Sequence, residues 1–205
     1  MAGLDAKGKE RVRTLAWVLA VSTLLLGIKF TAWFITKSNA ILTDALESIV
    51  NVVAGSFALY SIYYASQPKD ENHPYGHGKI EFLSAGFEGG LIFIAGLTIM
   101  GNSIYGFFVP SKLHDPETGA WLSALSGGIN LIMGSMLVAK GKKNGSLLMT
   151  ANGKHLISDT VSSVGLVAGL MLIWFTGWLW IDLVMAILFG LVILVTGFKI
   201  LKKSV

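Results

Sequence analysis

"LTDALESIVNVV", residues 42–53, has the apolar content of a membrane-spanning helix yet carries Asp44, Glu47 and Asn51. Acidic side chains in hydrocarbon are costly, and where they persist they face a bundle interior and pair with something. Glu47 and Asn51 are four residues apart, so they share one helix face, with Asp44 close to it. The same spacing returns in "KHLISDTVSS", residues 154–163, where His155 and Asp159 are four apart.

The rest of the chain puts both stretches in a membrane. It has 205 residues, 53% hydrophobic and only 14% charged, with a mean hydropathy of +0.66. A soluble domain carries charge at about a quarter of its positions. Apolar segments at 14–36, 39–66, 79–109, 119–140, 147–175 and 178–201 are each long enough to cross. The fold class expected is therefore all-α, a bundle of six transmembrane helices forming one domain over residues 1–205. The N-terminal "MAGLDAKGKERVR" reads as a tail before a retained helix, not as a signal peptide.

Six spans place both termini on one side. Lys7, Lys9, Arg11 and Arg13, then Lys69 and Lys79, Lys140, Lys142 and Lys143, and finally Lys199, Lys202 and Lys203 all fall there. The opposite loops hold Lys37 and Lys112. The positive-inside rule makes the basic side cytoplasmic, in the cell (inner) membrane if the source is bacterial. The net charge of +4 thus reflects membrane topology, and nucleic acid is not an expected partner. Trp174, Trp178 and Trp180 fit an outer aromatic belt, while Lys29 either snorkels outward or pairs with a buried acid.

Depth links the two polar pairs. At about 1.5 Å per residue, Glu47 and Asn51 lie about 12 and 18 Å below the outer boundary of the second span. His155 and Asp159 lie about 12 and 18 Å above the inner boundary of the antiparallel fifth span. Across a core of about 30 Å, Glu47 comes level with Asp159 and Asn51 with His155. Two carboxylates, an imidazole and an amide oxygen suit a divalent cation. Zn²⁺ fits the set tetrahedrally, and Mn²⁺, Fe²⁺, Co²⁺ and Cd²⁺ accept the same donors. With no cysteine, thiolate ligation is excluded. Asp44 is expected in a supporting role. The plainer alternative is interhelical hydrogen bonding that glues the bundle.

In "DENHPYGHGK", Asp70, His73 and His77 form either a second metal cluster or a polar turn shaped by Pro74 and Gly76. Glu88 in the third span lies between Gly86 and Gly90, a small-residue face for close helix packing. Asn102, Asn130 and Asp182 are expected to be structural or interfacial. No HExxH or GxSxG motif is present, so nothing points to an enzyme.

"GIKFTAWFITKSNAILTDALESIVNVV", "QPKDENHPYGHGKIE" and "HLISD" together resemble the cation diffusion facilitator family. The resemblance runs from the first span to "GWLWIDLVMA" and implies a homodimer that exports Zn²⁺ or a similar ion from the cytoplasm in exchange for protons. It maps the family's two ligand pairs onto Glu47, Asn51, His155 and Asp159, with no bound cofactor. In some members the loop holding Asp70, His73 and His77 carries a metal site. The usual pair on the second helix is His or Asp followed by Asp. Here Asn51 removes one titratable group. Members usually continue into a cytoplasmic metallochaperone-like domain, which is expected to be absent from this chain ending at "LKKSV". A metal-binding scaffold or sensor is the remaining alternative to a transporter.

Overall fold

The computed structural model describes residues 6–65, 79–108, 113–145 and 147–204. It holds six helices in chain order: α1 (Ala6–Thr36), α2 (Asn39–Ala65), α3 (Lys79–Phe108), α4 (Pro116–Lys143), α5 (Leu147–Thr176) and α6 (Trp180–Ser204). All six are long and apolar enough to cross a membrane. Helix α1 begins well before the apolar run, because "AKGKERVR" contains mostly good helix formers and continues the backbone ladder into the polar region. Apolarity marks the span and hydrogen bonding marks the helix, so the two boundaries differ.

Local chemistry sets the helix ends. Asp115, in the left-handed region at φ 41°, caps α4 by accepting from the Thr118 N–H, and Pro116 follows at the first turn. Lys140, Lys142 and Lys143 occupy the last turn of α4, where cations complement the helix dipole. The start of α2 depends on a distant residue. The Asp182 carboxylate of α6 accepts from the Asn39 and Ala40 N–H groups and from the Ser38 hydroxyl. Ser38 Oγ in turn accepts from the Ile41 N–H. Asp182 is 4% exposed, so this cap is buried.

Helices α4 and α5 form the most intimate pair, followed by α3 and α6, while α1 packs on α2 and α4. Glycine allows the first close approach: a Cβ on Gly153 would sit 2.7 Å from the Val138 nitrogen and from the Gly134 oxygen. In α3, a Cβ on Gly96 would sit 2.7 Å from the Leu194 Cα. Small residues let backbones meet where lipid supplies no hydrophobic drive between helices. Gly89 packs against Ile200 of α6, while a Cβ on Gly90 would meet nothing within 4 Å among the described residues.

One apolar cluster gathers Ala32, Ile41, Leu166, Leu170, Ile173 and Met185. A second gathers Val12, Leu15, Val18, Met133, Leu137 and Met149 at the other end of the bundle. A third, with Val50, Ile92, Ile99 and Ile193, joins α2 to α3 and α6. The polar residues of α2 and α5 lie between them.

Candidate metal site between α2 and α5

The four-residue spacing of α2 and α5 directs Asn51, His155 and Asp159 at one another. Asn51 Nδ2 donates to Asp159 Oδ2 at 2.9 Å. Asn51 Oδ1 lies 3.0 Å from His155 Nε2. A carboxylate only accepts, so Asp159 fixes the amide with its oxygen towards the imidazole. An amide oxygen also only accepts, so in this arrangement His155 carries its proton on Nε2. That nitrogen is also 3.8 Å from Asp159 Oδ1, one helical turn along α5. Asp159 is buried, while the His155 side chain keeps 30% exposure. A proton and two hydrogen bonds thus hold the donor atoms that a cation would need.

Glu47 is half-buried and makes no hydrogen bond or ion pair among the described residues. It lines a cavity of about 70 Å³ together with His155, Ser158, Asp159, Ser162 and Thr196. On the opposite side, Asn51 and His155 line a cavity of about 40 Å³ with Ser22 and Asn152. The contact triad therefore separates two recesses, one towards α3 and α6 and a more apolar one towards α1. Among the described residues, no three His, Asp or Glu side chains converge closely enough to hold an ion in this arrangement. The structure joins Asn51, His155 and Asp159 and leaves Glu47 in the adjoining wall. Ser158, Ser162 and Thr196 extend this wall beyond the residues that the four-residue spacing singles out. The first two are legible in the sequence, at three and seven residues after His155 on the same helix face.

Lys29 does not snorkel. Its Nζ donates to Asp44 Oδ1 at 2.7 Å and to Ser48 Oγ at 2.8 Å. Both Lys29 and Asp44 are buried. The Ser48 hydroxyl donates to the Asp44 carbonyl, and Asp44 Oδ2 has no hydrogen-bond partner among the described residues. Lys29, Ser48, Asn51, Asn130 and Asp159 line one small cavity, so the ion pair adjoins the α5 residues. Lys29 and Asp44 cancel each other's charge, leaving Glu47 and Asp159 as the two carboxylates of the region. Asp70, His73 and His77 lie outside the described residues, as does the side chain of Glu88.

Residues 15–205 match the family model described as the cation efflux transmembrane domain. The chain belongs to the cation efflux family. It is 35% identical over 92% of its length to an uncharacterized transporter of Synechocystis sp., covering 61% of that protein. It is 32% identical over 94% of its length to the metal cation efflux system protein CzcD of Cupriavidus metallidurans, covering 60% of it. It is 29% identical over 91% of its length to the cation-efflux pump FieF of Salmonella typhi, covering 61% of it. The chain thus spans about three-fifths of the length of these relatives. The family and these relatives are transporters by description, in keeping with the absence of an enzyme motif.

Proposed function

We propose that this chain exports a divalent cation, Zn²⁺ foremost, from the cytoplasm in exchange for protons, as one transmembrane domain working in a homodimer. The observation that carries the reading is the direct contact of Asn51 with both His155 and Asp159 inside an apolar bundle. Membership of the cation efflux family supports it. The basic residues on the side of the termini support a cytoplasmic placement of both ends.

Metal ligands must be deprotonated, so metal and protons compete for the same atoms. An arriving cation takes His155 Nε2 only after the imidazolium gives up the proton on that nitrogen and keeps the one on Nδ1. It takes Asp159 Oδ2 only after the Asn51 amide turns away. Glu47 supplies the second negative charge by swinging in from the cavity wall. Reprotonation of His155 and a carboxylate on the far side releases the ion and restores the hydrogen-bonded triad. Because Asn51 cannot titrate, the exchangeable protons belong to Glu47, His155 and Asp159.

The test is flux into inside-out vesicles read by a metal-sensitive dye, across Zn²⁺, Mn²⁺, Fe²⁺, Co²⁺ and Cd²⁺, with and without a pH gradient. Wild-type uptake should depend on the gradient and be abolished in both His155→Ala and Asp159→Ala. Unaltered uptake in both variants refutes the assignment, and metal binding without flux supports a sensor instead.

A further inference from the structure

The basic ends of α1 and α4 enclose a groove away from the metal site. Arg11 of α1 ties the two helices together there, its Nη2 donating to the Asn144 carbonyl at 2.6 Å. The groove has a volume of about 490 Å³, within the range of ligand clefts, about 300–1,000 Å³. Its upper rim carries Glu10, Arg13 and Lys140, and its lower wall Trp17, Ile132 and Met136. Among the described residues, neither the Arg13 nor the Lys140 side chain has an ion-pair or hydrogen-bond partner. Lys142 and Lys143 add charge at the same end of α4. The whole groove lies within the candidate spans of α1 and α4, with the charged rim near their ends and the apolar wall further in. Trp17 is 65% exposed and Ile132 71% exposed, so this wall faces outward.

We propose that this groove binds phosphatidylglycerol. An occupant must place a negative group between Arg13 and Lys140 and run an apolar chain down a surface at the edge of the bilayer. Basic pockets between transmembrane helices suit anionic headgroups in this way. The phosphodiester meets the Arg13 guanidinium, whose paired N–H groups match two phosphate oxygens, and also the Lys140 ammonium. The headgroup glycerol hydroxyls donate to the Glu10 carboxylate, a partner that a choline headgroup cannot satisfy. Acyl carbons lie against Ile132 and Met136, and Trp17 sits at the headgroup level favoured by its amphipathic ring. One lipid charge offsets the net single positive charge of the three rim residues.

Native mass spectrometry of the purified chain in detergent tests this, with phosphatidylglycerol and phosphatidylcholine of matched acyl chains added in equal amounts. Wild type should retain the glycerol lipid preferentially. Arg13→Gln should lower its occupancy about fivefold, and Arg13→Gln with Lys140→Gln about 25-fold, from the usual contribution of each cation near an anionic headgroup. Met136→Trp fills the groove without altering charge and should lower occupancy as well, while thermal melting confirms that each variant remains folded. Glycerol 3-phosphate, the head without its chains, should stay unbound at the same concentration. Equal retention of both lipids, unchanged occupancy in the double variant, or equally tight binding of glycerol 3-phosphate overturns the proposal. So does loss of a dimer rather than of lipid, which would make the groove a contact between copies.

Discussion

Replacing Lys29 by Met tests how the buried charges are balanced. The change removes the ammonium that holds Asp44 Oδ1 at 2.7 Å and Ser48 at 2.8 Å. Asp44 Oδ2 already lacks a partner among the described residues, so the variant leaves a buried carboxylate with neither oxygen paired. Removing one partner of a buried ion pair costs about 3–5 kcal/mol. For a chain of this size the loss corresponds to a fall of about 6–20 °C in Tm. Lys29→Met with Asp44→Asn removes both charges, and replacing a whole buried pair is often near neutral. The double variant should therefore melt above Lys29→Met, with strong coupling in a double-mutant cycle run in detergent micelles. Additive losses, or a Lys29→Met protein that melts with wild type, would show that the pair is not mutually stabilising.

Three further outcomes are expected. Asn51→Asp replaces a hydrogen bond to Asp159 at 2.9 Å with two facing carboxylates, so without metal it should lose at least about 2 kcal/mol. Added Zn²⁺ should restore more stability to it than to wild type, as melting curves with and without metal will show. Gly153→Ala places a Cβ 2.7 Å from backbone atoms of α4 and should cost about 1–3 kcal/mol by forcing α4 and α5 apart, read as a lower Tm. Hydrogen bonds from Thr118 hold the exposed Asp115 carboxyl below its usual range. A depressed folded value contributes stability that is complete above the unfolded value and is lost as pH falls through the folded one. The Tm gap between wild type and Asp115→Asn should therefore be present at pH 7 and close on acidification to below about pH 4.

Much of this protein could be read from residue order. Continuous apolar runs determine six crossings, because a bilayer admits only segments whose backbone bonds are satisfied internally. The spacings of Glu47 with Asn51 and of His155 with Asp159 determine shared helix faces, and the rise per residue determines their depth. Helical rise set Asn51 level with His155, and these two touch. It also set Glu47 level with Asp159, yet the partner that reaches Asp159 is Asn51, with Glu47 on the cavity wall.

Helical rise carries no information about how far one helix is rotated relative to its neighbour. That rotation depends on close packing, as where Gly134 and Gly153 bring α4 against α5. Lys29 was similarly undecided, because a long flexible side chain reaches either the membrane surface or an acid in its own layer. Only the packing of α1 on α2 brought Asp44 and Ser48 within its reach. Asp182 gave no local sign of capping α2, since a capping bond from another helix leaves no periodicity in either segment. The sequence by itself determined which helices are long and apolar enough to cross a membrane and which of their residues share a face. The tertiary structure decided which of them meet, because hydrogen bonds and ion pairs depend on separations of a few ångströms that helix rotation sets.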